Sequence, residues 1–429
     1  MPLPTALLTL AMLLMVGLAW LSGCQSGSPN TGLTTLTLSC WGTPTEKALL
    51  SELARGYQAL HPQVRVKVQH SPDNYFAKLH LLMAARHAPD VMMLNSLTAP
   101  TYAAAGQLLP LDAWLAQQPA PNGAQAYAPA ALAAMQATLP SGQTALVALP
   151  RDVSTLAVVV NTSLLKQALG AAQAEALLAR ATSPNPATLW RWDEAISVAT
   201  TVQKQLPHVK GWSFYSSPPL YWLPFVWSWG GQWLTDAQHP MVDDADTAAW
   251  QGLQAYTDLR HRWQVAPSLA VTGQTPMTQL FLKGDLLFML AGPWTIPFLR
   301  EQAPFAWDIV RFPQGPAGSR VGVDASGFAV WAHTPHPQQA LELLGYLNSA
   351  KAQASLAQSG LILPARVEVA QAQALADKAA SLQPYHAEVW QAAVAEGIPT
   401  HTPAQWHSVG EALTERLRPW FEQGQRPKK

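Results

Sequence analysis

Charge is scarce in this chain. Lys, Arg, Asp and Glu make up 12% of its 429 residues, and 26 basic side chains cancel 26 acidic ones. A nucleic-acid binder needs a basic face to neutralise phosphates. Here no Lys/Arg cluster is longer than the terminal Lys428-Lys429, which excludes that class. Cysteine is almost absent as well. Of the two, Cys24 follows the N-terminal apolar run and Cys40 lies inside a strand pattern, so no internal disulfide is expected. No Gly-rich loop followed by Lys-Ser/Thr is present to cradle a nucleotide, and no Gly-x-Ser-x-Gly offers a hydrolase serine. Metal-ligand spacing reduces to His333-x-x-His336 without a cysteine or acidic partner nearby, so neither metal nor cofactor is expected.

The first 45 residues contain no Lys or Arg, and the first charge of either sign is Glu46. Residues 6–21 are apolar and run into Leu21-Ser22-Gly23-Cys24. Small residues before a cysteine are what a lipoprotein signal peptidase reads, so residues 1–23 are expected to be a signal peptide and Cys24 the lipidated start of the mature chain. The missing basic segment departs from that pattern, and an uncleaved transmembrane anchor is the alternative. Either reading places the body outside the cytoplasm, tethered to a bacterial membrane. Residues 24–35, rich in Ser, Gly, Thr, Pro and Asn, have the composition of a flexible linker.

What is abundant is tryptophan. Eighteen of them is about three times ordinary usage. Many must fill cores, yet several stand beside Gly and Pro, as in Trp227-Ser228-Trp229-Gly230-Gly231, and flat aromatic faces are also what a sugar binder needs. The body of about 400 residues is long enough for two lobes with separate cores. Residues 36–41 alternate as a strand, and Thr43, Pro44 and Glu46 then supply the cap, first-turn proline and third-position acid of a helix. Val64, Val66 and Val68 mark a second strand, Phe76, Leu79, Leu82 and Met83 a second helix, and residues 89–94 a third strand. Such β-α-β-α-β order predicts a wound α/β sheet with ligands beyond the carboxyl ends of its strands, where Trp41 and Asn95 stand. Residues 144–149 and 156–160 read as one long strand interrupted at Pro150-Arg151-Asp152, where the chain could pass between lobes.

The most specific segment joins a helix, Phe281-Leu282-Lys283-Gly284-Asp285, an apolar strand and Gly292-Pro293-Trp294. It resembles the family 1 extracellular solute-binding proteins of ABC importers, the group that includes maltose-binding protein. Pro89-Asp90-Val91, Asn161-Thr162-Ser163-Leu164, Gly327-Phe328-Ala329-Val330 and Leu363-Pro364-Ala365-Arg366 agree with that family in order, over about residues 36–370. The resemblance implies a two-lobed periplasmic-binding-protein fold of type II character. Its lobes would be discontinuous, joined by crossover strands at a hinge, with a solute in the cleft between them. The expected N-terminal lobe is residues 36–152 and 288–324, and the C-terminal lobe 153–287 and 325–429. Crossings are expected near residues 150–155, 285–289 and 322–327. Gly322 and Gly327 suit either a hinge or a bulge.

By that resemblance the chain is a monomeric, non-enzymatic receptor for a carbohydrate, with ABC permease subunits as its membrane partner. Trp294 would stack on sugar. Asp152, at the first crossing, would bind hydroxyls, and Arg366 would reach into the cleft. Trp41 and Glu46 bracket the first strand-to-helix turn, although Glu46 already has a task as a capping acid. Asn95 and Ser96 end the third strand, and Tyr75 opens the helix before it. Tyr221, Trp222 and Trp229 belong to the second-lobe segment that supplies aromatic platforms, where Trp229 stands in place of an acid common in maltose-binding relatives. A glycerol-phosphate receptor is the alternative, with Arg151 and Arg366 as its cations. A carbohydrate-active enzyme would need a carboxylate pair, and Asp152 with Asp324 is the pair available.

Overall fold

A computed structural model describes residues 32–232, 247–400 and 402–427. Cys24, the signal segment and most of the expected linker lie outside the described residues. Among the described residues no helix is long and apolar enough to cross a membrane. The strands are, in chain order, β1 (Thr34–Cys40), β2 (Val64–His70), β3 (Val91–Asn95), β4 (Gln136–Thr138), β5 (Thr144–Leu146), β6 (Leu149–Thr155) and β7 (Ala157–Asn161). They continue with β8 (Lys210–Trp212), β9 (Leu286–Ala291), β10 (Trp307–Val310), β11 (Gly322–Val330), β12 (Leu363–Pro364) and β13 (Ile398–Pro399).

Two sheets carry two lobes. The first has the order β12-β6-β11-β3-β1-β2, with β13 on β11; the second has the order β10-β7-β9-β8. In the first, Leu36 and Leu38 on β1 and the fully buried run Val91–Leu94 on β3 pack against the helix Pro44–Leu60 and the helix Pro337–Leu347. The first of these helices starts where its sequence predicts. Thr43 Oγ1 accepts from the Glu46 N–H at 3.1 Å, and Glu46 Oε2 accepts from the Thr43 N–H at 3.3 Å, closing a capping box. The second lobe has an aromatic core. Trp190, Trp212, Phe214, Trp222, Phe225, Tyr256 and Phe288 are each no more than 1% exposed. Most of the tryptophan excess is spent on cores, since nine tryptophans among the described residues are buried.

Strand direction decides which ends face the cleft. β1 runs parallel to β2 and β3, while β11 runs antiparallel to both β3 and β6, so β6 points the same way as β1 and β3. Past Thr155 the chain enters the second sheet as β7. The carboxyl ends of β1 and β3 therefore look toward the second lobe. There β9 is antiparallel to β7, with Ala291 opposite Ala157, and β8 is parallel to β9, so the ends of β8 and β9 look back.

The crossings differ from those expected. β6 runs unbroken through Pro150-Arg151-Asp152, and the switch of sheets falls at Leu156. No crossing occurs at residues 285–289, because β9 is buried at all six positions and needs β7 and β8 on its two sides. The chain returns between β10 and β11. Residues 288–310, expected in the first lobe, therefore belong to the second. Conversely, residues 325–330 of β11, β12 and the helix Pro337–Leu347, expected in the C-terminal lobe, complete the first sheet and core. The last helices, Glu388–Glu396 and Trp406–Gln423, do pack on the second lobe, through Val389 and Trp390 and through Leu413, Leu417, Trp420 and Phe421.

Candidate functional site

At the end of β9, Gly292-Pro293-Trp294 turns the chain into a short helical turn. A Cβ on Gly292 would fall 2.1 Å from the Trp294 ring, so glycine is what lets the indole lie back over its own backbone. Trp294 is 38% exposed. At the end of β8, Tyr215 stacks on Tyr221 with ring centroids 3.8 Å apart. Trp294, Tyr215 and Tyr221 line one cavity of about 550 Å³, with Thr272, Thr275 and Thr278 supplying hydroxyls. The glycine before β9 has a separate reason. Gly284, at φ +78°, ends the helix Met277–Leu282 in the left-handed cap conformation.

A larger cavity of about 1390 Å³ lies between the lobes. Ser96, Pro100, Gln136 and Thr138 line it from the first lobe, Trp227 and Gln232 from the second, and Thr400 and Thr402 from the segment after β13. Ser96 Oγ donates to Asp324 Oδ1 at 3.2 Å and accepts from the Ala325 N–H at 3.3 Å. Burial pushes the Asp324 carboxyl up to about 6, against the hydroxyls of Ser96 and Thr400, which pull it down. Thr402 Oγ1 donates to the Leu97 carbonyl at 3.0 Å, tying this segment to the first lobe.

Asp152 and Glu46 are not on that surface. Between Ser326 and Gly327 of β11 the register with β6 slips by one, so Arg151 is the extra residue of a bulge and turns inward beside Asp152. Arg151 Nε donates to Asp152 Oδ2 and Nη2 to Glu46 Oε1, both at 2.8 Å, and the Ser326 N–H donates to Asp152 Oδ1. The Arg151 and Asp152 side chains are about 5% exposed, at 4% and 6%. Burial pushes the Asp152 carboxyl up while the guanidinium pulls it back. This triad ties the first strand-to-helix turn to the crossover, which corrects the expectation that Glu46 and Asp152 hold solute.

Three further expectations are corrected. Arg366 is 1% exposed and pinned inside the first lobe, its guanidinium donating to Glu368, to the Pro121 and Asn348 carbonyls and to Asn122 Oδ1, above the Tyr127 ring. Tyr75 is core, its hydroxyl donating to the Met93 carbonyl at 2.9 Å. Trp222 is 1% exposed among Leu223, Phe225 and Phe421. Trp229 is half-buried in an edge-on cluster with Trp192. Trp41 and Asn95 are half-buried at their strand ends, Trp41 against Phe76 and Asn95 with its side chain capping Thr98. Gly322 packs closely, since a Cβ there would lie 3.0 Å from Thr400 Oγ1 and 3.1 Å from the Trp227 ring.

Sequence reasoning did not name Tyr215, Thr400 or Thr402. Tyr215 follows a three-residue strand with no alternation to mark it, and the threonines follow a two-residue strand. Only the cavities they line in the fold set them apart.

Residues 41–354 match the family described as bacterial extracellular solute-binding protein. The chain belongs to that family. A Streptomyces antibioticus protein, described as an uncharacterized lipoprotein in the oleD 5' region, is 26% identical over 428 residues, covering 96% of this chain and 82% of the relative. The fold matches an ABC substrate-binding protein of Listeria monocytogenes in complex with cycloalternan, at TM-score 0.75 and 19% identity, over 92% of this chain and 95% of that one. It also matches the GacH receptor of Streptomyces glaucescens, studied with acarbose, at TM-score 0.73 and 22% identity, again over 92% and 95%. The two-lobed α/β architecture is thus shared with solute-binding proteins of this family.

Proposed function

We propose that this solute-binding protein is a membrane-tethered receptor that captures a neutral oligosaccharide between its lobes and delivers it to the permease of an ABC importer. The observation that carries the reading is the pair of accessible aromatic faces, Trp294 and the Tyr215–Tyr221 stack, at the lobe-facing ends of β9 and β8. A pyranose offers one apolar C–H face and a rim of hydroxyls. Stacking rings beside threonine hydroxyls meet both demands. The structural relatives crystallised with cycloalternan and acarbose support the same class of solute. Lipid attachment at Cys24, in keeping with the lipoprotein relative, would hold the receptor beside its permease. A phosphate ester would need a free cation. Arg151 and Arg366, the two candidates, are both buried and already paired, Arg151 with Glu46 and Asp152 and Arg366 with Glu368.

The test is a thermal-shift screen of residues 32–429 against maltooligosaccharides, cycloalternan, acarbose and glycerol phosphates. A sugar at a hundred times its Kd should stabilise the protein by about 2.7 kcal/mol. Trp294→Ala should lower affinity about tenfold, the size of one aromatic contact. A shift with glycerol phosphate alone, or sugar cleavage on prolonged incubation, would overturn the receptor reading.

A further inference from the structure

Among the described residues, Asp324 has no partner of opposite charge. Asp324 is the third residue of β11, where the chain re-enters the first sheet, opposite Ser154 of β6. It is half-buried. Burial and two hydroxyls, Ser96 and Thr400, are what act on it, and no cation is among those influences. The nearest charges along β6 are Arg151 and Asp152, which pair with each other, Arg151 also with Glu46.

The hydrogen bonds leave Asp324 with acceptor capacity to spare. Ser96 Oγ takes the Ala325 N–H, so its own proton points at Asp324 Oδ1. Thr400 supplies the second hydroxyl. An ionised carboxylate has about four lone-pair positions, so roughly two remain for donors from outside. Both hydroxyl partners line the interlobe cavity, and the Trp227 ring closes the wall at Gly322. The wall thus combines two hydroxyls and one apolar ring edge, with the half-buried Asp324 carboxylate bonded to both hydroxyls.

Resting on the oligosaccharide reading above, we propose that Asp324, framed by Ser96 and Thr400, is the carboxylate that recognises the solute, accepting hydrogen bonds from neighbouring sugar hydroxyls. The chemistry also sets specificity. Two adjacent hydroxyl donors fill its open positions, whereas a phosphate or carboxylate would bring a second negative charge against an unneutralised one. Asp324 takes the role that the sequence had suggested for Asp152. It lies where β11 joins the lobes, so a solute bound there touches both sides of the cleft.

Isothermal titration of the full folded body decides this, using maltotriose, maltoheptaose and cycloalternan as probes at pH 7.5 and pH 5.0. For whichever probe the wild type binds best, Asp324→Asn should weaken binding tenfold or more at pH 7.5, with Ser96→Ala showing a smaller loss. Wild-type affinity should fall at pH 5.0, where the carboxyl takes up a proton and loses the charge that strengthens its bonds, while the Asn variant stays flat. Far-ultraviolet circular dichroism confirms that each variant is folded, and Thr400→Val serves if Asn is not. Wild-type binding that the Asp324 and Thr400 variants retain unchanged would overturn the proposal and leave the oligosaccharide reading standing. A wild type that binds none of the three probes would overturn both.

Discussion

At the scale of single residues, the useful question about a polar side chain is whether its bonding capacity is already consumed. Asp152 and Asp324 look alike in sequence, two carboxylates at crossover strands, yet Arg151 and the Ser326 N–H use up the first, while the second keeps only hydroxyl partners. Asp324 therefore carries a stability cost that can be read directly. Its folded value of about 6 lies above the ordinary carboxyl value of 3.8, so the folded chain holds that proton more tightly than the unfolded chain. Its contribution to stability is favourable below the unfolded value and is lost as pH rises through 6. Asp324→Asn should thus raise the unfolding midpoint relative to wild type at pH 7.5, with the gain vanishing near pH 4. A midpoint difference that is flat across this range would mean that the carboxyl is not buried enough to matter. Arg366 shows the opposite outcome. The Leu-Pro-x-Arg motif was legible, but the position of its arginine inside the first lobe depends on Pro121, Asn122 and Asn348, and no local pattern announces such partners.

Among elements, legibility follows how local the cause is. The helix Pro44–Leu60 was readable because its cap is made by Thr43 and Glu46, three residues apart. The Asn161 side chain likewise caps the helix Thr162–Leu169 through the Leu164 N–H. The alanine-rich stretch 162–181 is broken at Gly170, whose φ of +82° ends one helix and starts the next. Sheet membership was not readable. An apolar strand such as β9 fits either core, and its place was decided by β7 and β8, far away in sequence. The bulge on β6 was equally hidden, although Gly327 is its sign. A Cβ there would sit 2.2 Å from the Leu149 carbonyl oxygen and 2.9 Å from Pro150 Cα, both backbone atoms that cannot step aside. Gly327→Ala should cost about 2–3 kcal/mol through overpacking, read as a lower urea midpoint at unchanged m-value. An unchanged midpoint would mean that the two strands can separate without loss, and the account of the bulge would be wrong.

For the whole molecule, the two cores are separate, and the lobes meet through β6–β7, through β10–β11, through the segment between the helices Val367–Ala379 and Glu388–Glu396, and through the segments on either side of β13. Thin connections of this kind beside a cavity of about 1390 Å³ permit rotation without unpacking either core. A solute that touches only Trp294 would bind without moving anything. One that also engages Ser96 and Asp324 gains contacts only when the lobes approach, so its binding energy shifts the population toward the closed form. A compact chain of this length has a radius of gyration of about 21 Å. Small-angle X-ray scattering of residues 32–429 should show that radius falling when an oligosaccharide saturates the protein, while Asp324→Asn at saturating sugar should fall less. Because the second comparison is made at full occupancy, it separates lobe closure from affinity. A radius that does not change at saturation would place the solute on one lobe alone, and the cleft would then be a surface that this protein does not use to hold it.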